Sequence, residues 1–202
     1  MSVHETGRPS VLCGLIGAGL QKSRTPRMHE QEGQAQGLRY VYKTIDLERL
    51  GLGVEALPDL LTAAERMGYC GLNITHPCKQ LVIPLLHELS EDARSLNAVN
   101  TVVLKDGRRI GHNTDCSGFA EGFRRGLPDV ERRRVVQLGA GGAGAAVAHA
   151  ALLLGVEKLA VHDIDPAKAQ SVADGLNARF GAGRAEVCAD LEAVMAQADG
   201  LI

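Results

Sequence analysis

The chain has 202 residues, with 22 Lys and Arg against 24 Asp and Glu, which is room for one domain with an appendage or for two small ones. A net charge of −2 leaves no basic field to hold a polyanion by counterion release. Three Tyr, three Phe and no Trp leave few faces on which bases could stack, so nucleic acid is set aside as a partner.

Apolar runs alternate with helical patterns from the start. Val11–Ile16 reads as a buried strand, and a helix over 26–36 follows, with Thr25 as its N-cap, Pro26 in its first turn and Gly37 closing it. Ser23 and Thr25 then lie at a strand-to-helix turn, a place where backbone N–H groups bind carboxylates. Next come a helix over 57–67, a strand Gly71–Ile74, a helix over 90–96 and a strand Ala98–Leu104. This is α/β ordering, with parallel strands expected. Lys105-Asp106-Gly107-Arg108 reads as a tight hairpin turn, and Thr114-Asp115 opens a helix to Arg125 that Gly126-Leu127-Pro128 stops.

Arginines 124, 125, 132, 133 and 134 are interrupted by two acids and a proline, so this stretch reads as a solvated linker, not a phosphate patch. Beyond it come a strand Val135–Leu138, a glycine-rich turn, a helix to Leu154, a strand Lys158–His162, a helix from Pro166 and a strand near Ala185–Cys188. Asp199–Ile202 begins a fourth strand. The domains expected are 1–116 and 117–202. Val135–Val156 carries no charge and has the length of a membrane span, but four of its five glycines cluster where a turn belongs, and no membrane partner is expected. Glu5 ahead of the apolar Val11–Leu20 and the poor cleavage region Gln21-Lys22-Ser23 argue against a signal peptide. Five scattered Cys and seven scattered His form neither a disulfide framework nor a metal-ligand spacing, so reduced thiols, a cytoplasmic location and no metal are expected.

Gly139-Ala140-Gly141-Gly142-Ala143-Gly144 fits G-x-G-x-x-G, a weak pattern alone that its context strengthens. A strand precedes it, an Ala-rich helix follows, and Asp163 ends the next strand 24 positions after Gly139. Glycines let the backbone approach a pyrophosphate at the helix N-terminus, while an acid at that distance accepts from both ribose hydroxyls and repels a 2′-phosphate. NAD is therefore favoured over NADP. In the first half, Asn73, Thr75, Lys79, Asn100 and Asp115 put amide, hydroxyl, amine and carboxylate groups at strand ends.

These blocks, Ser23-Arg24-Thr25-Pro26, Asn73–Lys79, Ala98-Val99-Asn100-Thr101, Asn113-Thr114-Asp115 and the glycine turn, resemble the shikimate dehydrogenase family from about Leu12 to the last residue. Within it the similarity is to the NAD-preferring quinate/shikimate dehydrogenase branch. The resemblance implies an N-terminal α/β substrate domain followed by a Rossmann-like doubly wound dinucleotide-binding domain, incomplete at its C-terminus. It implies hydride transfer between shikimate or quinate and their 3-dehydro ketones. Ser23 and Thr25 are then expected to hold the substrate carboxylate, Asn73, Thr75 and Asn100 the ring hydroxyls, and Lys79 with Asp115 the reacting hydroxyl. Oxidation of a ring alcohol requires a base within hydrogen-bond reach of that hydroxyl as hydride leaves, which is a physical reason for such a dyad. Gly139 to Gly144 and Asp163 are expected to take the cofactor.

Two departures bear on function. Asp163-Ile164-Asp165 stands where NADP-using members tend to show Asn-Arg-Thr, which moves the expectation to NAD, and Thr25 stands where shikimate-restricted members commonly carry Ser. The family also continues beyond the point reached by Ile202, so a fragment is expected. Two alternatives stay open: an NADP-dependent biosynthetic shikimate dehydrogenase, and a truncated chain that binds substrate or dinucleotide without turnover. A monomer or homodimer is expected.

Overall fold

In the computed structural model, which describes residues 9–202, two units form, one ending at Asn113 and the other running from Thr114 to Ile202. The first is built around β1 (Ser10–Gly17), whose second half is wholly buried, as the apolar run Leu15-Ile16 requires. A 3-10 turn (Leu20–Lys22) and α1 (Thr25–Ala35) lead to β2 (Arg39–Asp46), which runs parallel to β1 over its whole length, from Ser10 opposite Arg39 to Gly17 opposite Asp46. After α2 (Leu47–Leu50) and α3 (Leu57–Arg66), β3 (Gly71–Ile74) pairs with the other side of β1.

From here the sheet departs from the expected parallel arrangement. The chain passes through α4 (Cys78–Leu81), β4 (Glu88–Leu89) and α5 (Glu91–Ser95) before β5 (Thr101–Lys105) and β6 (Arg108–His112) form a hairpin. Asp106 and Gly107 both have positive φ, 51° and 72°, as a two-residue hairpin turn demands. The hairpin makes β5 antiparallel to β6, and β5 also runs antiparallel to β3. The order is β2-β1-β3-β5-β6-β4. A second correction concerns β5, which starts at Thr101 and not at Ala98. Asn97 turns the chain with φ 46°, and Asn113 Nδ2 holds the following loop by donating to the Ala98 carbonyl at 3.0 Å.

The core of this unit joins Ile16, Leu72, Ile74 and Val102 of the sheet to Leu57 and Leu61 of α3 and to Val82 and Val99. Each such side chain contributes about 1.5–3 kcal/mol by leaving water. The helix spacing of Leu57, Leu61 and Ala64 explains why α3 lies down on the sheet.

The second unit starts with α6 (Asp115–Gly126) and continues β7 (Arg134–Leu138), α7 (Gly142–Leu153), β8 (Lys158–His162), α8 (Pro166–Phe180), β9 (Ala185–Val187), α9 (Leu191–Met195) and β10 (Gly200–Leu201). All four strands are parallel in the order β10-β7-β8-β9, so the fourth strand returns beside the first, as in a doubly wound sheet. α7 is buried all round over Ala148–Leu152, and its Ala148 and Ala151 pack with Leu159 and Val161 of β8 and with Ala169 and Ala173 of α8. The uncharged stretch Val135–Val156 is thus strand, turn and helix. No helix among the described residues is long and apolar enough to cross a membrane.

Candidate functional site

In the first unit the polar candidates gather at one edge of the sheet. Parallel β1 and β3 end there, and the antiparallel hairpin brings the start of β5 and the end of β6 to the same edge. The ends of β1 and β3 are tied by two backbone bonds: the Thr75 N–H donates to the Ile16 carbonyl at 2.9 Å, and the Ala18 N–H to the His76 carbonyl at 2.9 Å. A Cβ at Gly17 would overlap the Thr75 side chain, so only glycine lets the two strand ends approach this closely. The His76–Pro77 peptide that follows is cis.

Ser23 and Thr25 are brought together where the chain leaves β1. The Ser23 hydroxyl donates to Thr25 Oγ1 at 3.0 Å and accepts from the Thr25 N–H at 3.3 Å. Thr25 is already the first residue of α1, so it is not the N-cap expected from sequence; Arg24 takes that place, and Ser23 satisfies the Thr25 N–H. The preceding loop is anchored by Asp46, 5% exposed, which accepts from the N–H groups of Gly19 at 3.1 Å, Leu20 at 2.8 Å and Glu48 at 3.2 Å. One buried carboxylate therefore holds both the loop after β1 and the cap of α2.

Asn73, on β3, and Asn100, just before β5, are joined through Thr101. Asn73 Nδ2 donates to Thr101 Oγ1 at 3.1 Å, and the Thr101 hydroxyl donates to Asn100 Oδ1 at 3.0 Å. On its other side Asn73 Oδ1 accepts from the Tyr42 hydroxyl at 2.6 Å. Tyr42 is buried on β2, stacks on His29 with ring centroids 4.5 Å apart, and burial pushes its phenol well above the usual range. Lys79 lies in α4, partly buried, and its carbonyl accepts from the Val99 N–H at 2.8 Å, fixing the loop that carries Asn100.

Asp115 belongs to the second unit, as the first residue of α6. In that unit Gly139, Ala140 and Gly141 of the glycine motif form the turn between β7 and α7, and Gly142, Ala143 and Gly144 are the first residues of α7. Gly139 has φ 101°, a conformation L side chains avoid, and Gly141 is the N-cap of α7 and supplies no side-chain cap. A Cβ at Gly144 would overlap the Gly139 carbonyl. Gln137, 1% exposed in β7, spans the turn from beneath: its Nε2 donates to the Gly139 and Gly144 carbonyls, each at 2.8 Å. Its Oε1 is buried without a partner.

Asp163, at the end of β8, is drawn onto this turn. Its Oδ2 accepts from the Ala140 N–H at 2.6 Å and its Oδ1 from the Asp165 N–H at 2.8 Å. These two N–H groups, Asp165 first, hold its carboxyl below the usual carboxylate range. Ile164 beside it is 99% exposed. A 12-residue helix whose first turn has no acid and no side-chain cap, fronted by Gly139 and Gly141 with open space around both, fits a dinucleotide pyrophosphate. Each carboxylate oxygen of Asp163 retains acceptor capacity for a ribose hydroxyl.

Tyr42, Thr101, Asp46 and Gln137 have no role in the sequence reading. Tyr42 and Asp46 sit on β2, a strand whose signal is present in Tyr40-Val41-Tyr42-Lys43-Thr44-Ile45, aromatic and β-branched residues bounded by a helix end and an acid. Gln137 announces itself as one amide in the apolar run Val135-Val136-Gln137-Leu138 immediately before the glycines.

Residues 15–102 match the shikimate dehydrogenase substrate binding domain. A shikimate dehydrogenase (NADP(+)) of Streptomyces avermitilis is 54% identical over 195 residues, which cover 96% of this chain and 67% of that protein. A quinate/shikimate dehydrogenase (NAD(+)) of Corynebacterium efficiens is 51% identical over 196 residues, 96% of this chain and 69% of that one. Among solved structures, the quinate dehydrogenase from Corynebacterium glutamicum in complex with NAD superposes with a TM-score of 0.88 at 50% identity, covering 96% of this chain and 70% of that one.

Proposed function

This chain belongs to the shikimate dehydrogenase family, and we propose that it is an oxidoreductase that interconverts a ring alcohol of shikimate or quinate and the corresponding ketone with NAD. The observation that carries the reading is the pairing of Asp163 with the glycine turn through the Ala140 N–H, which sets a carboxylate beside the dinucleotide's anchoring point. Names of relatives supply the substrate class, shikimate for one and quinate with shikimate for the other.

Gly139 to Gly144 would take the pyrophosphate and Asp163 the ribose; the bound dinucleotide supplies the hydride acceptor. Ser23 and Thr25 hold the ring carboxylate, while Asn73, Thr75 and Asn100 take ring hydroxyls. Lys79 receives the proton of the reacting hydroxyl as its carbon becomes a carbonyl, and returns it in the reductive direction. Asp115 is assigned to the same proton transfer. The polar edge of the first sheet favours such a ligand, because a carboxylate with several hydroxyls needs donors and acceptors at fixed spacing. Domain roles follow, substrate for the first unit and dinucleotide for the second.

A second reading, dependence on NADP, is favoured by the name of the Streptomyces relative. Against it stands the Asp163 carboxylate, held ionised where a 2′-phosphate would have to sit, with Ile164 in place of a cation. The test is reduction of NAD and of NADP followed by near-ultraviolet absorbance with shikimate and with quinate, alongside calorimetry of all four ligands. Turnover faster with NADP would overturn the cofactor assignment. Binding without any turnover would make the chain a ligand-binding module.

A further inference from the structure

Tyr42, Asn73, Thr101 and Asn100 form a chain of side-chain hydrogen bonds that could run in either direction, since each hydroxyl and each amide can both donate and accept. One contact removes the ambiguity. Asn73 Nδ2 also faces the backbone carbonyl of Asn100 at 3.4 Å, and that oxygen, which already accepts from the Ile74 N–H at 2.8 Å, can only accept. The nitrogen of Asn73 must therefore point towards β5 and its oxygen towards Tyr42. Tyr42 is then compelled to donate, and its 2.6 Å distance is that of an O–H donor. Thr101, having accepted from Asn73, has its proton directed to Asn100 Oδ1.

We infer that Tyr42 and Thr101 are positioning residues for substrate recognition: their one-way chain holds Oδ1 of Asn100 and so fixes the orientation in which an N–H of its carboxamide meets a ring hydroxyl oxygen. This rests on the reading of Asn100 as a substrate contact. Tyr42 is itself immobilised by burial, by its stack on His29 and by the bond from its N–H to Glu30 Oε1 at 3.2 Å, so the chain starts from a fixed point. Neither residue is proposed to touch substrate. The chemistry recognised is an acceptor oxygen, which leaves the hydroxyl's own proton for another partner.

Calorimetry of shikimate and quinate binding to the full chain tests this, with NAD binding and thermal melting as controls for folding. Thr101→Val keeps the shape and loses the hydroxyl; the ring acids should bind about tenfold more weakly, as one misdirected polar contact costs, with NAD affinity unchanged. Thr101→Ser restores the hydroxyl and should return affinity to within about twofold of wild type. Tyr42→Phe should weaken ring-acid binding in the same sense and serves if Thr101→Val fails to fold. Wild-type affinity in folded Thr101→Val or Tyr42→Phe, or a serine variant as weak as the valine one, overturns the inference alone. Ring acids that fail to bind the wild-type chain overturn the functional reading and this inference with it.

Discussion

Asp163 Oδ2 accepts a 2.6 Å hydrogen bond from the backbone N–H of Ala140, so the acid that ends β8 also fastens the glycine turn after β7. The two jobs predict two separable losses. Asp163→Ala removes the charge that excludes a 2′-phosphate, and the ratio of kcat/KM for NAD over NADP should fall. It also releases the Ala140 N–H, so affinity for both dinucleotides should fall as well. Asp163→Ala with Ile164→Arg should shift the ratio further by adding a cation beside the vacated position. A wild-type ratio favouring NADP would sink the argument.

Lys79 is predicted to act in the chemical step more than in binding. Lys79→Ala should lower kcat by about 10²-fold or more, with substrate affinity little changed, as loss of a general acid-base group does. Steady-state kinetics with shikimate, accompanied by calorimetric Kd, separates the two. Equal turnover in the variant would make Lys79 a structural residue.

Much of this arrangement was legible in the residues, and where it was not the reason is specific. Gly71–Ile74 and Lys158–His162 appear as strands with the expected bounds, because both are short runs bounded by helical patterns, with Leu72 and Ile74 of the first and Leu159, Ala160 and Val161 of the second buried. The β2 strand escaped because its exposed Val41 and Lys43 alternate with Tyr40 and Tyr42, a half-buried edge pattern easily passed over beside a strong helix. The antiparallel hairpin shows in the sequence as a turn, which carries no information on how β5 runs against β3, and so the sharing of one sheet edge by Asn73 and Asn100 is visible only in three dimensions. Side-chain partners such as Asp46 with Leu20, 26 positions apart, lie beyond any local pattern.

Stability of the first unit should depend on pH through Glu65 and Arg109. The guanidinium donates from Nε at 2.7 Å and from one terminal nitrogen at 2.8 Å to the two carboxylate oxygens, and also reaches Thr62 Oγ1 at 3.1 Å. Hydrogen bonding from Arg109 holds the Glu65 carboxyl below its ordinary 4.5. A depressed pKa contributes stability that is fully present above the unfolded value and is lost as pH falls through the folded one. Arg109→Met should therefore cost about 1–3 kcal/mol at neutral pH, the range for charge-assisted bonds at a partly buried pair. The gap to wild type should narrow progressively below about pH 4.5. Urea unfolding across that range measures it, and a gap independent of pH would assign the loss to packing of the arginine stem.

The last prediction concerns Gln137, whose buried amide donates to both ends of the glycine turn while its own oxygen has no partner. An unsatisfied buried oxygen costs about 1–3 kcal/mol, and two neutral hydrogen bonds return about 1 kcal/mol each, so the residue is close to neutral for folding. An apolar residue would complete the strand Val135-Val136 just as well. What an apolar residue cannot do is hold the Gly139 and Gly144 carbonyls at one spacing, and that spacing aims the N–H groups of the turn and of the first residues of α7. Gln137→Met, unbranched and similar in length, should consequently leave the free energy of unfolding within about 1 kcal/mol of wild type. The affinity for NAD should fall about five- to tenfold, equivalent to one ordinary hydrogen bond, while shikimate affinity stays constant. Chemical denaturation and calorimetry on the same preparations supply both numbers. A variant that binds NAD as wild type does would reduce Gln137 to a filler of the strand, and one that loses stability and both ligands together would mean that it supports the fold at large.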